Sequence, residues 1–290
     1  MSAADLGRLV LLAAVWGLAF VFIRVAVMPL GPVALVALRQ VIAGVALALY
    51  IHSLGLALDL RGRWRVYLPI ALLNSAVPFV LIAAAQRELA ASYTVILVST
   101  SPLFAALIAA VALKDPLTLR KLTGLGLGIA GVALLIGWNP AALDVPPLWA
   151  IAAVLAAALL YAIAGVFTRL FAQGIPPMAT AAGSQLGSAL LVLPFVAAVP
   201  PGAMPTPLEW LSVLALALAS TALAFILYFQ LIRTIGPVKT LTVNFLTPIF
   251  GVGGGALLLG ERITLNMLAG AAVILVGTAL VLGAARPRAV

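Results

Sequence analysis

Few side chains in this sequence can do chemistry, and their kinds narrow it sharply. The 290 residues hold no cysteine, one histidine and seven carboxylates. Disulfides, thiolate zinc sites and cysteine nucleophiles are therefore excluded, and little material remains for a metal cluster or an acid–base pair. No cofactor is expected. One cation, Arg39, stands inside a long apolar run, ~10 Å of helix past Pro32. A cation buried there is costly and usually faces a bundle interior or a cavity. It either attracts a carboxylate, or hydrogen-bonds carbonyls freed at helix ends and anchors near an interface. The carboxylates themselves (Asp5, Asp59, Glu88, Asp115, Asp144, Glu209 and Glu261) all fall at the ends of apolar runs or between them. A ligand drawn into the apolar region is then zwitterionic or anionic rather than cationic. No obvious proton carrier remains, because His52 falls at the end of a run and reads as an interfacial side chain.

The other groups at depth suit recognition rather than bond-making. Pro78, Pro102 and Pro248 lie within apolar runs, where each removes a backbone hydrogen bond to the carbonyl four residues back. These three are the candidate hinges. Ser99, Ser101, Asn244 and Thr247 gather beside two of them. Each alone reads as a hydroxyl or amide patching a kink; together, beside broken backbone, they suggest the lining of a cavity. Trp16, Tyr161 and Tyr228 offer aromatic walls, and Asn74 a second amide for a polar head. The phenylalanines, Phe79 among them, read as packing or lipid-facing.

Composition says what must position these groups. Apolar residues make up 65% of the chain and charged residues 8%, with a mean hydropathy of +1.28. Too few charges exist to cover a water-facing surface. A spanning helix needs roughly 20 apolar residues, and stretches free of Asp, Glu, Lys and Arg number ten once Arg24 and Arg39 are allowed inside the first two. The sequence thus predicts an all-α integral membrane protein with ten transmembrane helices and no room for a soluble domain. The opening run lacks a cleavage site followed by a polar start, so it reads as the first helix and not as a signal peptide. The formal charge of +9 reads as basic loops rather than as a nucleic-acid surface. With the N-terminus inside, twelve Lys and Arg fall at inner ends, Arg286 and Arg288 among them, against Arg24, Arg87 and Arg262 at outer ends. That bias places both termini in the cytoplasm.

The chain is also written twice. Residues 89–137 align with 235–283 without a gap, thirteen positions being identical, Pro102/Pro248, Gly124/Gly270 and Gly131/Gly277 among them. A shift of 145 aligns Val21–Arg24 with Val166–Arg169 and Gln40 with Gln185. Each copy holds five spans, so the second enters the membrane from the opposite side. This predicts two inverted five-helix repeats, residues 1–145 and 146–290, of the kind that rock around a midplane site in transporters. A Gly126–Gly131 match to GxGxxG lies in a span, and it reads as a small-residue packing face with Gly124 and Gly128. Such faces permit a monomer or a weak homodimer.

Leu11–Gly17, Arg39, and Leu259-Gly260-Glu261-Arg262-Ile263-Thr264 with Gly270 and Gly277 resemble the EamA-type drug/metabolite transporter superfamily. The first repeat departs from the last motif at Lys114-Asp115-Pro116. The resemblance implies a ten-helix exporter of small metabolites by alternating access. Among its branches the chain is most similar to amino-acid exporters of the YddG type, which implies aromatic and other neutral amino acids. Together with the absence of a proton carrier, this points to facilitated diffusion around a central cavity in a bacterial plasma (inner) membrane, lined by the residues named above. The alternative is an exporter of another metabolite or drug class, with or without proton coupling. An intramembrane enzyme would need clustered acids or histidines, which the sequence lacks.

Overall fold

Proline and glycine punctuate the apolar runs, and the helices begin and end at them. The computed structural model describes residues 1–137 and 146–283, all regular elements of which are helical. Asp144, Arg286 and Arg288 lie outside the described residues. The first helical rod, Ala3–Ser53, is too long for one crossing and is broken at Gly31, whose φ of 72° and ψ of 165° only glycine adopts without strain. Pro29 and Pro32 flank the break. The rod therefore divides into α1 (3–30) and α2 (32–53). There follow α3 (Leu60–Ala85), α4 (Ala91–Ala112), α5 (Leu119–Ile136), α6 (Leu148–Phe171), α7 (Pro177–Ala198) and α8 (Pro207–Ile235). The shorter α9 (Val243–Leu259) and α10 (Leu265–Gly283) complete ten apolar segments.

Local side chains set the starts. Ser2 and Asp5 form a capping box on α1, as Thr206 and Glu209 do on α8. Thr118 caps α5 by accepting from the Lys121 amide.

Packing interleaves the two sequence repeats. Small residues let backbones approach, which drives helix association where lipid is as apolar as the side chains. The α5–α10 contact is a tight case. A methyl group added at Gly124 would lie 2.6 Å from the Gly277 carbonyl oxygen, and one at Gly277 the same distance from that of Gly124. The repeat-related pair Gly131 and Gly270 repeats the arrangement at 2.9 and 2.8 Å. The apparent GxGxxG motif is thus divided between a packing face and Gly126, which has no neighbour within 4 Å. α2 crosses α7, where the Gln40 amide donates to Ser188 Oγ at 2.8 Å.

Two helices depart from α geometry. α3 is π-helical over Leu72–Ala76, just before Pro78, and α8 over Ala215–Leu223. The 146-residue shift carries the first segment onto positions 218–222, inside the second. Each π turn inserts a residue into its helix and turns backbone and side chains off the α register, a feature frequent at functional sites.

Candidate functional site

The site centres on Arg39. It lies in α2, buried to 7% exposure. Its Nε donates to Thr221 Oγ1 at 2.9 Å, and its Cζ sits 3.9 Å from the centre of the Phe79 ring. The π-helical turn makes the first contact possible: Thr221 Oγ1 itself donates five residues back to the Leu216 carbonyl at 2.8 Å, so the hydroxyl is fixed with its lone pair facing Arg39. The second contact is a cation–π pair. Neither supplies an anion. The ion pairs among the described residues join Arg8 to Asp5, Arg63 to Asp59 and Lys121 to Asp115, and Arg39 has none. Its terminal nitrogens donate to no protein group among the described residues.

The neighbours build outward. Tyr161 of α6 meets Phe79 edge-on, ring centres 6.4 Å apart. Next to Thr221, Ser220 Oγ donates to the Val15 carbonyl of α1 at 2.7 Å. One residue on, Trp16 lies against Tyr228 of α8, 5.6 Å between centres. Of the three aromatic candidates, Trp16 thus pairs with Tyr228, and Tyr161 with Phe79.

The hydroxyls beside the prolines divide. Ser99 donates to Val95 and Thr247 to Val243 within their own helices, both at 2.9 Å, which is the kink-patching role. Ser101 ties α4 to the Ala158 carbonyl of α6 at 3.2 Å. Asn74, in the first π turn, and Asn244, at the start of α9, are half-buried. Neither amide bonds another protein group among the described residues.

The hinge prolines differ from the symmetric expectation. α4 is interrupted at Ser99–Thr100, immediately before Pro102. Pro248 sits inside the continuous Val243–Leu259, and the corresponding interruption falls earlier, at Leu241–Thr242. Pro78 falls at the start of regular α-helix after the π turn.

Two functional contacts escape a reading of residue types. Phe79 reads as packing because an apolar ring carries no polar handle, yet it is the floor under Arg39. Its repeat partner Phe225 was the available signal. Glu261 reads as a motif residue without a role. It caps α4 from the opposite repeat: the amides of Ala91 and Ser92 donate to its carboxylate at 2.7 and 2.9 Å, and Ser92 Oγ adds a third bond. This explains the departure in the first repeat. The equivalent of Ala91 is Pro237, which has no N–H. Asp115, the equivalent of Glu261, therefore has no amide to receive there and pairs with Lys121 at 2.9 Å. Removing the cap should cost about 1–3 kcal/mol. Glu261→Ala is expected to melt well below wild type in a detergent thermal-shift assay, whereas Asp115→Ala, which leaves the buried Lys121 ammonium its bond to the Pro116 carbonyl, should shift less.

The EamA-like transporter family matches this chain twice, at residues 8–137 and 148–283. The chain belongs to that family. It is 27% identical over 268 residues to the uncharacterized transporter YoaV of Bacillus subtilis, 91% of each chain being covered. It is 22% identical over 274 residues to an uncharacterized transporter of Archaeoglobus fulgidus, covering 92% of this chain and 94% of that one. A solved structure titled only as a crystal structure of protein superposes with a TM-score of 0.68 at 20% identity, over 97% of this chain and 96% of that one. At that identity the likeness speaks for the fold alone. The chain is thus a multi-pass, two-repeat membrane transporter of the EamA-like family and not an enzyme.

Proposed function

We propose that this transporter exports amino acids, aromatic and other neutral ones, by alternating access around a central cavity in which Arg39 receives the carboxylate. The observation that carries the reading is the buried guanidinium, held at Nε by Thr221 and from below by Phe79, with no ion-pair partner among the described residues. A cation at membrane depth costs about 3 kcal/mol, and a ligand carboxylate offsets that cost each time one enters. Tyr161 and the Trp16–Tyr228 pair supply ring surfaces for an aromatic side chain, and the amides of Asn74 and Asn244 suit the ammonium end. The carboxylates of the described residues sit at helix ends or in loops, the buried Asp5 at the first turn of α1 among them, so among the described residues no acid stands at mid-membrane to exchange a proton for a cation. This supports facilitated diffusion down the substrate gradient.

In this reading residues 1–145 and 146–290 are the two inverted repeats, with both termini on the cytoplasmic side of a bacterial inner membrane and the polypeptide working as a monomer or weak homodimer. Counterflow tests it. Proteoliposomes preloaded with unlabelled phenylalanine should accumulate labelled phenylalanine from outside without any ion gradient. Silence with a full set of amino acids, from folded protein, would overturn the amino-acid assignment and favour another metabolite or drug class with coupled transport.

A further inference from the structure

The α2–α7 crossing holds a set of buried amide atoms whose partners are missing in a patterned way. Gln40 and Gln185 are repeat equivalents, and both are fully buried. Gln40 Nε2 donates to Ser188 Oγ at 2.8 Å. The repeat image of that bond would join Gln185 to position 43. That residue is Ala43, which has no polar atom and is itself fully buried. Three atoms of this pair are left without a partner among the described residues: Gln40 Oε1, Gln185 Oε1 and Gln185 Nε2. Buried polar groups in native proteins are overwhelmingly paired, so each exception calls for a reason.

The three orphans complement one another. If Gln40 faced Gln185 in place of Ser188, Gln185 Nε2 would donate to Gln40 Oε1 and Gln40 Nε2 to Gln185 Oε1. A reciprocal amide pair would leave none of these atoms unpaired. Positions 185 and 188 are three residues apart on one face of α7, so the exchange needs an axial slip of about 4.5 Å, close to one helical turn. One-turn ratchets of packed helices are a known switching mode. The surfaces suit it. α7 presents Ala181, Ala182, Ser184, Ser188 and Ala189, all buried and small, and Gly44 of α2 lies under the Leu186 side chain and amide. On α2, Leu47 and Ile51 meet the small Ala181 and Ala182, and Leu186 over Gly44 is the ridge that a slip must pass.

We propose that α2 and α7 exchange between two registers, Gln40–Ser188 as seen here and a slipped Gln40–Gln185 amide pair, and that Gln40 and Gln185 thereby position the two halves in opposite states of the transport cycle. The inference rests on the two-state transporter reading, but not on any choice of substrate. In the register seen here Gln185 is a buried liability; in the other it completes the pair.

The lack of native cysteine makes disulfide trapping clean. Three double variants would be reconstituted without substrate and oxidised with copper–phenanthroline, the loss of alkylatable thiols being read by intact mass. They are Q40C/S188C, Q40C/Q185C and Q40C/V192C. Position 192 lies one turn beyond 188 on the side away from 185. Trapping of 40 with 188 and with 185, but not with 192, is expected. Trapping of 40 with 185 no greater than with 192 would overturn the slip. Melting gives a second reading in which no variant needs to be oxidised: Q185L should melt above wild type, because it removes two unpaired atoms from the register seen here. A lower melting temperature would show Gln185 to be paired in that register and would also overturn the proposal. Neither arm uses a substrate, so a failed amino-acid assignment leaves both intact.

Discussion

Arg39→Gln is expected to reduce amino-acid counterflow about 10–100-fold, the size of a lost hydrogen bond to a charged group at about 1.5–3 kcal/mol, while leaving the protein at least as stable. The two halves of this outcome have one cause. The guanidinium is buried with no anion among the described residues, so in the empty protein only the Thr221 hydrogen bond and the Phe79 ring offset its desolvation. A purely structural arginine behaves in the opposite way: its loss lowers stability and transport together. Thr221→Val separates the roles further. It removes the acceptor that fixes Nε but keeps the charge, so it should weaken carriage by less than Arg39→Gln. Arg39→Lys should not restore the wild-type rate, because an ammonium cannot hold Thr221 and a carboxylate in one planar fork.

A single methyl group in the α5–α10 contact is expected to produce a large loss of stability. Gly124→Ala and Gly277→Ala each place Cβ 2.6 Å from a carbonyl oxygen of the facing helix. The obstacle is backbone, which cannot rotate aside, so the helices must separate along their whole contact. Overpacking of this kind costs about 1–3 kcal/mol or more. Gly126→Ala, on the same helix but with nothing within 4 Å, should instead be neutral or gain up to about 1 kcal/mol of helix propensity. Melting curves of the three variants in one detergent decide between a packing face and a generic intolerance of α5 to substitution. Equal shifts for all three would contradict the packing account.

The two predictions mark what residue types and spacing can and cannot disclose. The helical, membrane-spanning character and the repeat were legible because apolar length and the recurrence of proline and glycine are one-dimensional signals. Arg39 was legible because one cation in an apolar run is conspicuous. Its setting was not. Phe79 lies under Arg39 because α3 packs beside α2, and Thr221 meets Arg39 from the π-helical part of α8. No composition signal distinguishes a π turn from an α turn. Glu261 was visible as a motif, but its capping of α4 depends on the C-terminal end of α9 arriving at the start of α4, a tertiary fact. The repeat equivalents Pro102 and Pro248 sit in different backbone settings, one after an interruption and one inside a continuous helix, since a proline removes one bond and the neighbours decide whether the helix breaks.

The claim at the centre of this account is that Arg39 receives a carboxylate, and competition tests it most directly. Labelled phenylalanine counterflow would be challenged with 3-phenylpropionate, which keeps the carboxylate and lacks the amine, and with phenethylamine, which keeps the amine and lacks the carboxylate. Inhibition by 3-phenylpropionate that disappears in Arg39→Gln, with phenethylamine inert, is the predicted result. Inhibition by phenethylamine alone, unchanged in Arg39→Gln, would contradict it.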